Sequence, residues 1–226
     1  MDWYENWFNS PYYKILYHKR DEQEAQQFIE SLLHLLRPAQ GCKMLDIACG
    51  EGRHARQLAE HGFDVTGIDI SNFSIDQAKL SEPDNLHFYV QDMRHPFFIN
   101  YFDFAFNFFT SFGYFRHQRD HQLAANSFAA SLKPGGTLVI DFLNFEYVKK
   151  QLVAEETISF EGLTFKLHRK LEQNHIIKHI SFLDHSGTQR HFTEKVAIFT
   201  VSNFENMFRE AGMSLLVRVE ATSPSR

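Results

Sequence analysis

The segment Leu45-Asp46-Ile47-Ala48-Cys49-Gly50-Glu51-Gly52-Arg53-His54-Ala55 joins an apolar, strand-like run (Lys43–Ala48) to a helical one that reaches about His61, where Gly62 is a natural stop. Glycines at such a junction let the backbone approach a ligand, and the first helical amides point at it. Read as Gly50-x-Gly52-x-x-Ala55, with Asp69 nineteen residues after Gly50, the segment meets a dinucleotide fingerprint. Spacing alone therefore allows a nicotinamide or flavin dinucleotide.

Strand and helix go on alternating beyond it. Asp64–Ile70 reads as a second strand, Ser71 as the cap of a helix through about Leu80, and Leu86–Val90 as a third strand ending at Gln91-Asp92-Met93. Phe102–Phe109 is a fourth strand, Gln118–Leu132 a helix, Lys133-Pro134-Gly135-Gly136 a turn and Thr137–Leu143 a fifth strand. Such alternation implies right-handed crossovers and a mostly parallel α/β sheet with helices on both faces. Between about Thr157 and Val201 the period becomes two: Ile158, Phe160, Leu163, Phe165 and Leu167 alternate with polar residues. That pattern predicts antiparallel hairpins turning at Asn174 and Asp184–Gly187. Ser202-Asn203-Phe204-Glu205 fits a capping box, Gly212 a helix stop, and Ser214–Val219 a sixth strand. At the other end, Asp21 is placed to cap a helix whose apolar stripe runs from Ala25 to Leu36 and stops before Pro38. The expected organisation is residues 1–37 as an aromatic lid and helix, 38–154 as the ligand-binding core, 155–201 as a β insertion, and 202–226 as the last helix and strand of the core.

Composition narrows the function classes. With 226 residues, 43% hydrophobic and 23% charged, the chain holds one domain plus an insertion and is not disordered. A net charge of -5 gives no basic footprint, which argues against a nucleic-acid partner. Cys42 and Cys49 cannot make a disulfide framework and suit a reducing compartment. No run of ~18 apolar residues exists, and the N-terminus is acidic and aromatic, unlike a signal peptide. A cytoplasmic protein without a membrane partner is expected.

Electrostatics separates the ligands that the glycine turn allows. Asp46, Asp69 and Asp92 fall at the tips of strands one, two and three, and in a doubly wound sheet all three tips face one crevice. Three carboxylates there repel a pyrophosphate. They suit cationic groups, a ribose diol and an exocyclic amine, which together describe S-adenosylmethionine. Asp46 then sits near the methionyl end, Asp69 accepts the ribose hydroxyls, and Asp92 accepts from the adenine amine.

The strings LDIACGEG, GIDIS, YVQDM and LKPGG followed by TLVIDF resemble motifs of the class I S-adenosylmethionine-dependent methyltransferases, over about residues 40–145 with Ser202–Val219 also similar. The nearest resemblance is to small bacterial members with a β insertion after strand five, some of which act on amino sugars or other small molecules. It implies a doubly wound, Rossmann-like methyltransferase sheet of seven strands in the order 3-2-1-4-5-7-6. It carries cofactor contacts to Asp46, Ala48, Gly50, Asp69, Ile70, Asp92, Met93 and Asn107. Ala48 stands where the family often has glycine. After the sixth strand only about seven residues remain, whereas a turn and a further strand need ~20–25 residues. The expectation is that strand seven is missing from this sequence, which is then truncated or altered, or that another segment fills its slot.

Methyl transfer from a sulfonium is an in-line displacement that needs alignment and exclusion of water, and no covalent nucleophile. Asn107, Tyr114 and His117 are the candidate catalytic groups, with Thr110 and Ser111 as further polar residues beside the acceptor. The aromatic N-terminus (Tyr12, Tyr13, Tyr17) reads as a lid, with Arg20 on the methionine carboxylate. His117 and His121 have metal-ligand spacing but lack a third ligand, and both are expected on a solvated helix face. No metal is expected. The insertion is expected to cover the substrate, to form a homodimer interface, or both. Eleven of the nineteen residues Phe97–Phe115 are aromatic. Phe102, Phe104, Phe106 and Phe108 read as core, while Phe109, Phe112, Tyr114 and Phe115 read as the start of an acceptor pocket. The expected function is methyl transfer to a small molecule; the rivals are a dinucleotide-dependent oxidoreductase and a non-catalytic cofactor-binding domain.

Overall fold

A computed structural model describes residues 3–18 and 22–219. Five strands, β1 (Lys43–Ile47), β2 (Asp64–Asp69), β3 (Leu86–Val90), β4 (Phe102–Asn107) and β5 (Leu132–Ile140), form one parallel sheet in the order β3-β2-β1-β4-β5. Helices α3 (Glu22–Leu36), α4 (Arg53–Glu60) and α5 (Asn72–Ala78) supply Ile29, Leu58 and Ile75 to the core on one face, against Met44, Val65 and Phe106 of the strands. On the opposite face, α6 (Gln118–Ser131) and α8 (Val201–Glu210) pack Ala124, Phe128 and Met207 on Leu45, Ile47 and Ala105. Successive side chains of a strand point to opposite faces, so the nearly continuous apolar runs of β1 and β4 feed both cores.

The change to a period of two marks a second sheet. β6 (Glu155–Phe160), β7 (Leu163–Glu172), β8 (His175–Leu183) and β9 (Gln189–Ala197) pair antiparallel in chain order. Its apolar face, with Leu163, Phe165, Leu167, Ile180 and Phe182, is covered by two short N-terminal helices, α1 (Trp3–Phe8) and α2 (Pro11–Leu16), through Trp7 and Leu16. Trp7 has no exposed surface. Its indole N–H donates to Glu194 Oε1 at 2.7 Å, the Tyr17 hydroxyl donates to the same oxygen at 2.6 Å, and Lys178 Nζ donates to Glu194 Oε2 at 2.6 Å. A buried carboxylate is stable only when so partnered.

Several expectations are corrected. Ser214–Val219 forms no strand: Leu215, Leu216, Val217 and Val219 are exposed and pair with none of the described strands. Lys133–Gly136 is a bulge inside β5, where the register jumps from Phe102↔Leu132 to Phe104↔Thr137, and β5 ends at Ile140. A helix not foreseen, α7 (Phe145–Gln151), is capped by the Asn144 side chain, which accepts from Tyr147 N–H. The capping box of α8 is Thr200 with Asn203, two residues earlier than the expected Ser202–Glu205. The Asp21 cap and the Arg20 contact lie outside the described residues.

Burial pushes the Glu194 carboxyl up, and Lys178, Tyr17 and Trp7 outweigh it, leaving Glu194 below its ordinary value of 4.5. A depressed folded value stabilises the native state above pH 4.5, and that contribution is lost as pH falls through the lower folded value. Denaturation followed from pH 6 to pH 3 should therefore steepen below pH 4.5. Glu194→Gln should be less stable at pH 7 and lose part of that acid dependence; an unchanged slope would contradict the role.

Candidate crevice at the strand tips

The turn after β1 is shaped by what lies beneath it. A side chain at Gly52 would place Cβ 2.2 Å from Phe88 Cζ, and one at Gly67 would lie 2.6 Å from Phe88 Cδ1 and 2.9 Å from Cys49 Sγ. Both glycines are thus obligatory while the Phe88 ring fills that space. Gly50 differs: its φ is +58° and a Cβ there would meet nothing within 4 Å, so the turn is open on its outer side. Ala48 sits at φ +60°. An alanine in the left-handed region costs about 1 kcal/mol relative to glycine.

Asp69 clamps this turn to the tip of β2. Its Oδ2 accepts Gly50 N–H at 2.9 Å and its Oδ1 accepts Ser71 N–H at 2.8 Å. Burial raises its pKa, and these amide bonds oppose the rise. Asp46 is buried at the end of β1, with one oxygen, Oδ2, lacking a partner. Burial, with the neighbouring charge of Asp69, pushes Asp46 up to about 7, against a hydrogen bond from the Ala55 backbone and the charge of Arg53. Asp92 is different again. Burial raises it, but hydrogen bonds from the Arg94 side chain and backbone outweigh this and hold it below the ordinary range.

Asn107, fully buried at the tip of β4, donates Nδ2–H to Ile47 O at 2.9 Å, while its Oδ1 has no partner. Ile70 and Met93 are half-buried beside Asp69 and Asp92 in sequence. Beyond Asn107 the chain makes a strained reversal, with Phe109 at φ +54° and Thr110 at φ +68°. Asp141 holds it: its Oδ2 accepts Phe109 N–H and its backbone oxygen accepts Thr110 N–H, each at 3.2 Å. Asp141 was not anticipated, although it stands at a strand tip as the other three aspartates do. Ser111 Oγ donates to Phe108 O at 3.2 Å. Tyr114 is half-buried, with its ring 5.2 Å from Phe8, and His117 is exposed at the N-cap of α6.

Three expectations about this region change. His121 is 2% exposed, enclosed by Phe112, Phe115 and Phe199, and burial lowers its pKa to about 4. It is a neutral core histidine because the helix face it occupies packs on α8 and the end of β9. Phe112 and Phe115 belong to that same core rather than to a pocket. Finally, the N-terminal helices reach the strand tips as well as the second sheet. The Ser71 hydroxyl donates to Asn9 Oδ1 at 2.5 Å, Lys14 pairs with Glu51, and Lys14 Nζ lies 5.2 Å from the Phe73 ring. Among the described residues no group of three or more His, Cys, Asp or Glu side chains could hold a metal ion, and no helix is long and apolar enough to cross a membrane.

The family model described as "Methyltransferase domain" matches residues 17–217. The chain is 30% identical over 217 residues to "Putative methyltransferase YqeM" of Bacillus subtilis, covering 92% of this chain and 85% of that protein. It is 26% identical over 185 residues to the dTDP-3-amino-3,4,6-trideoxy-alpha-D-glucopyranose N,N-dimethyltransferase of Streptomyces venezuelae, covering 78% and 77%. The fold is shared with the S-adenosylmethionine-bound structure of CalS10, an amino pentose methyltransferase from Micromonospora echinaspora, at TM-score 0.70, 20% identity and coverage of 90% and 89%.

Relieving the left-handed alanine should help stability. Ala48→Gly is expected to raise stability by about 0.5–1 kcal/mol in urea denaturation. Gly52→Ala, which drives Cβ into Phe88, should lower it by at least 2 kcal/mol on the scale of core overpacking, about 1–3 kcal/mol. Equal effects of the two variants would refute this account of the turn.

Proposed function

The chain belongs to the methyltransferase domain family, and on that premise we propose that it moves a methyl group from S-adenosylmethionine to a small-molecule acceptor, an amine by preference. The observation that carries the reading is the set of carboxylates at three neighbouring strand tips around an open glycine turn, with one Asp46 oxygen buried and unpartnered. A pyrophosphate would be repelled there, which disfavours a dinucleotide. A ligand with an ammonium, a sulfonium, a ribose diol and an adenine amine is matched group by group.

When bound, the cofactor supplies a methyl group activated by its sulfonium; the rest is the work of the chain. A carboxylate has about four acceptor sites, so Asp69, which binds the Gly50 and Ser71 amides and is also reached by that of Ile70, keeps acceptor capacity for the ribose hydroxyls. Asp46 Oδ2 is the acceptor for the methionyl ammonium, directly or through water, and a cation beside it restores the charge that burial suppresses. Asn107 Oδ1 offers a second unpartnered acceptor at the tip of the adjacent strand. Gly50 leaves room for the ligand to lie against the backbone. The α1–α2 segment, fastened to Ser71 and Glu51, acts as the lid that excludes water.

The acceptor faces the strained Phe109–Thr110 reversal. Alignment rather than acid–base chemistry supplies the rate, since an uncharged amine attacks a sulfonium methyl unaided. Asn107 cannot take up a proton and holds its amide on Ile47, and His117 is exposed; neither serves as a base here. Tyr114, against Phe8 of the lid, is a positioning group. The likeness to the amino-sugar N,N-dimethyltransferase of Streptomyces venezuelae supports the amine.

Titration calorimetry tests the cofactor assignment. S-adenosylmethionine and S-adenosylhomocysteine should bind, and NAD should not; binding of NAD alone would overturn the reading. Asp69→Ala removes two charge-assisted hydrogen bonds, about 3 kcal/mol, and should weaken S-adenosylhomocysteine about a hundredfold.

A further inference from the structure

Asp92 stands at the tip of β3, two residues beyond Val90, and it does not stand alone. Three N–H groups of Arg94 converge on it. The backbone N–H of Arg94 donates to Oδ1 at 2.9 Å, and Nε lies 3.0 Å from Oδ1 and 2.9 Å from Oδ2. Nη2 donates to Oδ2 at 2.5 Å. Three donors leave one of the carboxylate's roughly four acceptor sites open. The guanidinium is itself held from behind: its Cζ lies 5.4 Å from the ring centroid of Phe115, which is buried in the α6 core, and the side chain is about one-quarter exposed. The carboxylate of Asp120 adds favourable charge around it.

An aspartate carboxylate without such a fork rotates easily about its last torsion, which is broad and two-fold. A bidentate guanidinium fixes the plane of the carboxylate as well as its charge. We propose that Arg94 is a positioning residue: it presents the remaining lone pair of Asp92 to the exocyclic amine of adenine and thereby sets the base specificity of the cofactor site. The inference rests on the reading of Asp92 as the adenine acceptor. A fixed, acceptor-only carboxylate rewards the amine of adenine and rejects the carbonyl that hypoxanthine carries at the same position. A carboxylate free to turn loses that distinction.

The experiment compares S-adenosylhomocysteine with S-inosylhomocysteine by calorimetry on the full chain, with thermal unfolding run alongside. The wild type should prefer the adenine compound by about thirtyfold. Arg94→Met should weaken S-adenosylhomocysteine about tenfold and cut the preference to threefold or less, and Arg94→Lys should recover part of the affinity but little of the preference. A purely structural arginine would lower the melting temperature and leave the preference intact, which overturns the proposal. Tighter binding of S-adenosylhomocysteine to Arg94→Met would also overturn it, by showing that the guanidinium blocks the site. Asp92→Ala separates the two levels of the argument. If it abolishes the preference while Arg94→Met does not, the adenine assignment stands and the role of Arg94 falls. If it leaves the preference unchanged, both fall.

Discussion

The ring of Phe88 fills the space that side chains at residues 52 and 67 would need, and the crevice is built on that exclusion. Phe88 is 1% exposed and comes from β3, so a strand two positions away from β1 in the sheet dictates the path of the turn that follows β1. With side chains barred from the underside, the turn comes close enough to β2 for Cys49 N–H to donate to Ile68 O and for Gly50 N–H to donate to Asp69. Asp69 is consequently held by backbone amides that cannot move without unpacking the core. Its orientation is settled before any ligand arrives, which is the condition under which a hydrogen-bonding group discriminates well.

The same packing creates the electrostatic tension of the site. Asp46 is forced into the interior by its place at the end of a buried strand, and only one of its oxygens is known to be partnered by the protein. A buried acceptor without a donor costs about 1–3 kcal/mol. Asn107 repeats the pattern on the neighbouring strand, and Phe109 and Thr110 add backbone strain just beyond it. These costs lie together at the strand tips, while the carboxylates of Glu194 and Asp184, far along the other sheet, are fully engaged by donors. Among the described residues His121 Nε2 in the α6 core is also buried without a hydrogen-bond partner, but only at the strand tips do two such oxygens lie on adjacent strands, as a ligand with donor groups requires.

Much of this was legible in the residues because the relevant physics is local. A glycine turn between strand and helix, carboxylates at successive strand ends and the shift to a period of two each depend on a few consecutive positions. The failures share a different cause. His121 reads as a surface residue four positions from His117, and only the packing of α8 on α6 buries it. Phe112 and Phe115 follow a strand tip and look like pocket residues, yet Phe128, Phe199 and His121 from distant segments close around them. Ser214–Val219 has good strand composition but pairs with none of the described strands. The Arg94 fork on Asp92 is the exception: it spans two residues and could have been read from Asp-Met-Arg at a strand tip.

The N-terminal helices join these two kinds of information. One side of α1 and α2 is fixed to the antiparallel sheet by the Trp7–Tyr17–Lys178–Glu194 network; the other touches Ser71, Glu51 and Tyr114 at the tips of the parallel sheet. The first set is buried and charge-assisted, whereas the second includes a hydroxyl bond, a partly exposed ion pair, a cation–ring contact and a ring contact. Exposed ion pairs contribute about 0–1 kcal/mol, and removing one partner of a buried network costs about 3–5 kcal/mol. The segment therefore has a strong anchor and a weak latch. On the proposed lid role, opening the crevice asks only for the latch to part, with the helices still seated on the insertion. If α1 and α2 close over the crevice as proposed, the insertion is the base on which they turn, and a core without it would have the glycine turn and the three carboxylates but not this support for a lid.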